Sequence, residues 1–321
     1  MDGEAHTRPP GSSWLGVIVV HYGDRAGTER CVRSLVGDPS AVPRRIAVVD
    51  NSAAGGGALE EGSFGPGVRV LSSPDNPGFG EGANRGVSCL AATGTPAGWV
   101  VLNHDIEVLP GFLDAVHDSL GAARCGSGHG RVGAVGGPIY LDRPGGPLWS
   151  AGGEVRWLTG TVRQSRSAED PARARDVGFL PGAAIAVAPR AWNEVGGFDP
   201  SIFLYHEDLD LCLRLRRAGW RLRFEPEMAA VHHLGAATGS ASGSAFYLEH
   251  LTRTRFRPYR SRLYRVYLAL AHGPYVLARA AVLVLREGGA GWRKARAVLR
   301  GYGSALGTVW HPSGSRSPRR G

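Results

Sequence analysis

The run His206-Glu207-Asp208-Leu209-Asp210-Leu211-Cys212-Leu213 puts three carboxylates within four positions, just after Phe203 and Tyr205 and at the start of a helix-like pattern. Like charges repel, so a soluble domain seldom gathers them where an apolar segment enters a helix. A task, such as taking a proton from a hydroxyl, explains the cluster better. Leu209, Cys212 and Leu213 form an apolar stripe that Leu211, Leu215 and Ala218 widen, which predicts a well-buried helix. Asp210 and Arg214 have the spacing of a bracing ion pair. Glu207 and Asp208 fall in the first turn, where the helix dipole favours negative charge; that accounts for one acid more readily than for two.

A second group is Asn103-His104-Asp105, after an apolar strand and before Ile106 and Val108. A carboxylate at a strand end can hold a divalent cation and so neutralise a diphosphate. A plain Asn/Asp turn cap is the alternative. Val231-His232-His233-Leu234-Gly235 ends another apolar run, and one imidazole there could complete a metal shell or be structural; spacing does not choose between the two residues. Manganese suits a mixed oxygen and nitrogen set better than magnesium.

The elements that must position these groups read as alternating strands and helices. Leu15–Val20 is a short continuous apolar run, as in a strand buried on both faces, Ile46–Val49, Val68–Leu71 and Trp99–Leu102 read as the next three strands, and Asp50, Asn103 and Asp105 stand at or just past strand ends. Such open parallel sheets bind ligands at the carboxyl ends of their strands, so a nucleotide site is the default expectation. Gly78-Phe79-Gly80-Glu81-Gly82-Ala83 superficially fits a dinucleotide fingerprint, but it follows the third strand and no acidic strand end lies at the right distance beyond it. The glycines instead suggest close approach of backbone to a ligand, with Asn84 and Arg85 carried into the site on the helix that follows.

At 321 residues the chain can hold one large α/β domain and a smaller appendage. Cys31, Cys89, Cys125 and Cys212 lack metal-type spacing and read as free thiols in a reducing compartment. Residues 1–13 have no apolar core, so no signal peptide is expected, and no run reaches the roughly 20 apolar residues of a membrane span. Residues 251–300 hold twelve Arg or Lys against the single acid Glu287, while the whole chain carries +9, so the body is near neutral. Interleaved apolar residues predict two basic amphipathic helices broken near Gly273-Pro274, suited to an anionic bilayer, to packing on the main domain, or to a homodimer. No RNA- or DNA-reading motif accompanies the charge, so nucleic acid is not expected as a partner. The tail from 311 is Ser/Arg/Pro-rich and reads as disordered.

The ordered series Val48-Val49-Asp50-Asn51-Ser52, Asp75-Asn76-Pro77-Gly78-Phe79-Gly80, Leu102-Asn103-His104-Asp105, Phe179-Leu180-Pro181-Gly182-Ala183-Ala184, Val195-Gly196-Gly197-Phe198-Asp199, Phe203–Cys212 and His232-His233 resembles family 2 glycosyltransferases, and within them the rhamnosyltransferase-like branch. The resemblance covers roughly residues 14 to 240. It implies a GT-A fold, an α/β architecture with a Rossmann-like, mostly parallel sheet, and inverting transfer from a nucleotide-diphosphate sugar with Mn2+ or Mg2+ as cofactor. By resemblance Asp50, Asp75 and Asn76 face the nucleotide, and Gly78, Asn84, Asn103, His104 and Asp105 are expected to line the same nucleotide-sugar site. Asp105 matches the metal-binding aspartate of the family's Asp-x-Asp motif, Asn103 replaces that motif's first aspartate, and His232 or His233 matches a later metal ligand. Asp208 matches the general base, with Glu207 beside it.

Gly182 and Ala183 would let an acceptor sugar ring approach backbone or simply make a turn, and His206 stands on the acceptor side where the branch often carries an aromatic or acidic residue. Trp149, Trp157 and Trp192 could stack on sugars or fill core and rim. The expected division is a disordered 1–13, a GT-A domain over 14–245, a basic helical extension over 246–310 and a disordered 311–321. The donor is expected to carry rhamnose or a related deoxyhexose, with a uridine-linked hexose or furanose as runner-up. The acceptor is a saccharide, a lipid-linked sugar or a small molecule, in cell-wall, surface-polysaccharide or glycoconjugate assembly. A non-catalytic nucleotide-sugar scaffold is the rival. The expected location is cytoplasmic, with peripheral contact on the inner face of the membrane.

Overall fold

The protein was analysed as a computed structural model that describes residues 14–52, 58–122, 131–165, 172–233 and 243–310; Cys125 and the segments 1–13 and 311–321 lie outside them. The chain begins with β1 (Leu15–His21), α1 (Arg25–Gly37), β2 (Arg44–Asp50), β3 (Val68–Ser72), α2 (Phe79–Ala91) and β4 (Gly98–Asn103). β1 is buried along its whole length and pairs in parallel with β2 and β4, while β2 pairs in parallel with β3. Each buried Val, Leu or Ile side chain contributes about 1.5–3 kcal/mol, enough to fix a continuously apolar strand at the centre of a sheet. The registers matter more than the count: His21 lies opposite Asp50, and Val20 opposite Asn103. Three polar residues are thereby lined up at one edge of an apolar sheet.

The chain continues through β5 (Ile106–Val108), α3 (Phe112–Ala122), β6 (Val132–Gly136), β7 (Ile139–Leu141), β8 (Leu148–Ser150), β9 (Gly153–Arg156), β10 (Thr161–Gln164), β11 (Arg175–Val177), β12 (Ala184–Val187), α4 (Pro189–Val195), α5 (Glu207–Arg217), β13 (Arg221–Phe224) and β14 (Ala230–His232). The main sheet has eight strands in the order β11-β13-β6-β12-β4-β1-β2-β3. It is mixed, because β12 runs antiparallel to both β4 and β6, and β11 antiparallel to β13. A second sheet, β5-β14-β7-β8, is built on the β5–β14 pairing that sets His232 opposite Ile106. The strand carrying the histidines therefore lands beside the segment that follows β4.

Two helices close the chain, α6 (Ala245–Arg253) and α7 (Arg262–Trp310). The break expected near Gly273-Pro274 lies instead at Gly288, whose φ of 54° and ψ of −125° interrupt α7. Pro274 sits on an exposed part of the helix, and the helix continues through it. A glycine reaches positive φ without a side-chain clash, so Gly288 makes the reversal. The two arms of α7 then lie against each other, with Arg262 over the Trp310 ring at 4.2 Å and the Tyr302 hydroxyl bonded to the Ala269 carbonyl. α7 also contains an 18-residue stretch of mean hydropathy 1.6, so by length and composition it is apolar enough to cross a membrane. That corrects the expectation that no segment reaches this threshold.

Candidate functional site

The acidic run enters α5 through an unusual backbone. Tyr205 and His206 both have positive φ, 64° and 66°. Each such non-glycine residue costs about 1–3 kcal/mol unless its surroundings hold it. Here the surroundings come from both sides. Gly78, with φ of 94°, leaves no Cβ where one would lie 2.0 Å from the Phe203 carbonyl oxygen, and Phe79 N–H donates to that oxygen at 3.1 Å. From the other side, the Tyr205 ring meets Tyr247 edge-on at 5.0 Å, and His206 Nδ1 lies 3.0 Å from the Thr254 hydroxyl. That hydroxyl already donates to the His250 carbonyl at 2.9 Å, so it accepts from His206 Nδ1–H and leaves Nε2 as the acceptor. Burial, with the Arg255 charge adding, pulls the His206 pKa down to about 3, so the ring is neutral at pH 7.

Asp208 is held by backbone. Its Oδ2 accepts from Gly182 N–H at 3.1 Å and its Oδ1 from Leu209 N–H at 2.7 Å. Leu180, two residues before Gly182, is bonded to the Cys212 thiol through its N–H at 3.4 Å, so the 180–182 turn rides on α5. The neighbouring peptide faces the other group: Asn103 N–H donates to the Ala183 carbonyl at 3.0 Å. One residue step, Gly182 to Ala183, thus joins the carboxylate of Asp208 to the end of β4. Glu207 is only 7% exposed, and one of its carboxylate oxygens has no hydrogen-bond partner among the described residues. Burial and then the adjacent Asp208 push its pKa well up. Burial also raises Asp208, against the pull of its backbone donors. Asp210 bonds Arg214 at 2.6 Å, and Arg214 ties back to the Val195 carbonyl at 2.8 Å, so this acid braces the helix.

At the end of β4, Asp105 is 1% exposed, and its Oδ1 lies 3.1 Å from His232 Nε2. Among the described residues neither ring nitrogen of His232 finds a hydrogen-bond partner, although the residue is 5% exposed. The Trp149 ring stands edge-on to it at 4.9 Å. His233 turns away and pairs with Glu107 at 2.7 Å. Burial lowers the His104 pKa, with Asp105 opposing, and its ring lies 5.8 Å from His21. No group of three or more His, Cys, Asp or Glu among the described residues is placed to hold a metal by itself.

The remaining expected residues are used mainly within the protein. Asp50 is fully engaged: Oδ1 accepts from the N–H and hydroxyl of Ser52 and Oδ2 from Leu59 N–H at 2.8 Å. Burial opposes its charge, but those donors win and its pKa is lowered. Asp75 is exposed and clamps Arg85 through two contacts of 2.6 Å, with Asn76 next to it at a φ of 38°. Asn84 brackets the backbone of Phe198, accepting from its N–H and donating to its carbonyl, both at 3.0 Å. The glycine-rich start of α2 therefore approaches the Phe203 backbone, where the sequence suggested a ligand. Trp192 packs in the core edge-on to Phe198 at 5.6 Å, and Trp157 contacts Tyr259 and Tyr264.

Two residues escaped the sequence reading. His21, at the carboxyl end of β1, is 2% exposed and 3.9 Å from Asp50; burial, then His104, lowers its pKa to about 4. The strand-end rule applied to β1 would have found it. Thr254, which anchors His206, had no local signal, because the contact spans 48 residues.

The model of the family described as glycosyltransferase like family 2 matches residues 10–269. An N-acetylglucosaminyl-diphospho-decaprenol L-rhamnosyltransferase of Mycobacterium tuberculosis is 31% identical over 266 residues, spanning 74% of this chain and 81% of the relative. Rhamnosyltransferase WbbL of Escherichia coli is 39% identical over 70 residues, 22% of this chain and 26% of that protein. Among solved structures, GalNAc-T7 with UDP, GalNAc and Mn2+ superposes with a TM-score of 0.56 at 11% identity, covering 94% of this chain and 56% of that one. S. aureus TarS 1-349 superposes with a TM-score of 0.52 at 12% identity, covering 91% of this chain and 81% of that one. At such identities the likeness concerns the GT-A fold alone.

Proposed function

Because the chain belongs to glycosyltransferase family 2, we propose that it is an inverting rhamnosyltransferase that extends a lipid-linked acceptor sugar with rhamnose or a related deoxyhexose in cell-wall or surface-glycan assembly. The observation that carries this reading is the Gly182–Ala183 step, which ties the Asp208 carboxylate to the Asn103–Asp105 end of β4. An acceptor hydroxyl at Asp208 and a donor diphosphate at Asp105 would then flank the same turn. Asp208 takes the hydroxyl proton as the acceptor oxygen bonds to the anomeric carbon, and the bond to the leaving diphosphate breaks on the opposite face. No covalent enzyme intermediate is needed. The relative's printed acceptor, a diphospho-decaprenol-linked sugar, is the model for the acceptor class.

The residues present fit a divalent cation. The buried carboxylate of Asp105 converges with the His232 imidazole, which finds no hydrogen-bond partner among the described residues, leaving the rest of a coordination shell to diphosphate oxygens. Asp105 and His232 would hold it, and it would supply charge neutralisation to the leaving diphosphate. Mn2+ with UDP in the GalNAc-T7 structure is consistent with that donor set. His233, paired with Glu107, serves the second sheet instead. The exposed side of α7, with Leu270, Leu277 and Leu285 among arginines, rests on an anionic bilayer where the acceptor is displayed.

The test is Asp208→Asn. Transfer from a nucleotide sugar should fall by about 10²–10⁴-fold while nucleotide binding, followed by calorimetry, persists. Full activity in the variant would remove Asp208 as the base.

A further inference from the structure

From Glu249 to Glu287 the chain contains no acid, yet it holds eight arginines, from Arg253 to Arg286. Several are accounted for: Arg253 pairs with Glu249 at 2.5 Å, Arg257 bonds the Ser201 hydroxyl at 2.7 Å, and Arg262 covers Trp310. Two others are not. Arg255 is partly buried, and its side chain meets only His272 Nδ1, at 3.5 Å, among the described residues. Arg279, also partly buried, bonds the Tyr275 hydroxyl at 2.9 Å. Neither has a carboxylate within ion-pair distance among the described residues. Burial, with Arg279 as a repelling neighbour, makes Arg255 a weaker hold on its proton than usual. A pair of half-buried guanidinium groups without a counter-charge is costly to maintain, and an anion between them relieves the cost.

The position of the pair says which anion. Arg255 follows Thr254, whose hydroxyl holds His206, and His206 is two residues from the base Asp208. His272 is fixed through Nε2 to the Thr159 carbonyl at 2.7 Å, which leaves Nδ1 toward Arg255. Beyond Tyr275, α7 exposes Leu277, Val282 and Leu285, the face assigned above to the bilayer. Contacts link these groups in order: His206, two residues before the base, to Thr254, its neighbour Arg255 to His272, and His272 to the arm of α7 that carries Arg279 and the exposed leucines. That is the order of sugar, diphosphate and lipid in a lipid-diphosphate-linked sugar. Asp105, two residues past the Asn103 that bonds Ala183, is assigned above to the donor.

We propose that Arg255 and Arg279, supported by His272 and Tyr275, bind the phosphates of a lipid-diphosphate-linked acceptor, separately from the donor diphosphate. The assignment rests on the glycosyltransferase reading and names the acceptor's anionic group. Bidentate guanidinium–phosphate bonding fixes orientation as well as affinity, so these arginines set the distance between the bilayer and the reacting hydroxyl.

The full-length protein is titrated calorimetrically with farnesyl diphosphate, farnesol and inorganic pyrophosphate in chelator-containing, metal-free buffer, which disfavours the donor side. Farnesyl diphosphate is expected to bind at least tenfold more tightly than farnesol. Arg279→Gln and Arg255→Gln should each weaken farnesyl diphosphate about tenfold and leave farnesol unchanged, Arg255→Lys should retain part of the affinity, and Arg293→Gln on the far arm of α7 should have no effect. If Arg255→Gln does not fold, Arg279→Gln carries the test alone. Unchanged farnesyl diphosphate affinity in both glutamine variants would overturn the proposal. Pyrophosphate binding as tightly as farnesyl diphosphate, with the same arginine dependence, would assign the site to a free anion and also overturn it. Arginine-dependent farnesyl diphosphate binding in a protein that transfers no sugar from any donor would sink the transferase reading and leave the phosphate site standing. Transfer to a diphosphate-linked acceptor with an unchanged KM in Arg279→Gln would do the reverse.

Discussion

Glu207 and Asp208 are adjacent, buried acids whose pKa values are both pushed up by burial, and of the two Glu207 holds its proton more firmly. Asp208 has two backbone N–H donors to stabilise its charge, whereas Glu207 has an oxygen with no partner among the described residues. Hydrogen bonds to the ionised form favour it, and burial without them disfavours it, so Asp208 gives up its proton before Glu207 does. The sign for stability follows. An acid whose folded pKa is raised binds more protons in the folded state, so stability falls as pH rises from about 4.3 toward that raised value. Glu207→Gln removes this penalty. Its Tm should exceed that of the parent at pH 8 by a few degrees, at about 2–4 °C per kcal/mol for a domain of this size, and the two should converge near pH 4. Differential scanning calorimetry across pH checks it; a variant less stable than the parent at pH 8 would show that Glu207 is ionised and paired. At this scale the sequence was partly legible. It marked the acids and gave Asp210 to Arg214 by spacing, but Asn84 and Asp50 looked ligand-facing because their partners, Phe198 and Leu59, are brought in only by the tertiary fold.

Among the elements, strands announced themselves because continuous apolar runs have one physical explanation, burial on both faces, and β1, β2 and β4 are so buried. That His232 rather than His233 approaches Asp105 was not legible, since it depends on the antiparallel register of β14 with β5. The hinge in α7 was misplaced because proline is the stronger helix breaker in isolation. An exposed proline leaves its bend to solvent, while Gly288 is where the arms turn. That turn gives the first arm two different sides: Leu268, Ala269, Val276 and Ala280 are buried, and Leu270, Leu277 and Leu285 are 74%, 63% and 84% exposed. A helix with one side committed to the protein lies along a membrane surface rather than through it. The protein should therefore co-sediment with vesicles rich in phosphatidylglycerol and be released by salt, and Leu277→Glu with Leu285→Glu should abolish the association without lowering Tm. Equal sedimentation of the double variant, or none by the parent, would reject the surface role.

For the molecule as a whole, the question is whether the C-terminal helices are an appendage. Composition suggests one, because Glu287 is the only acid after Glu249 while twelve Arg or Lys fall in 251–300. Packing says otherwise: Phe256, Tyr259, Leu268, Ala269, Ala305 and Val309 belong to the same buried cluster as Ile18, Val101 and Leu211 of the sheet and α5. Tyr267 and His272 also reach back to the 158–159 turn between β9 and β10, at 2.8 and 2.7 Å. Losing one large core side chain costs about 2–5 kcal/mol, and a domain's whole stability is about 5–15 kcal/mol. Deleting residues 262–310 uncovers several such side chains at once and leaves Phe256 and Tyr259 facing water. The truncated chain should then lose its cooperative thermal transition, and with it the support that Thr254 gives to His206 beside the base. Calorimetry of the shortened protein decides the matter. A sharp transition at the parent Tm would mean that the sheet and α5 fold without the helices, and that the arginines between 253 and 286 reach the site only as an attached surface.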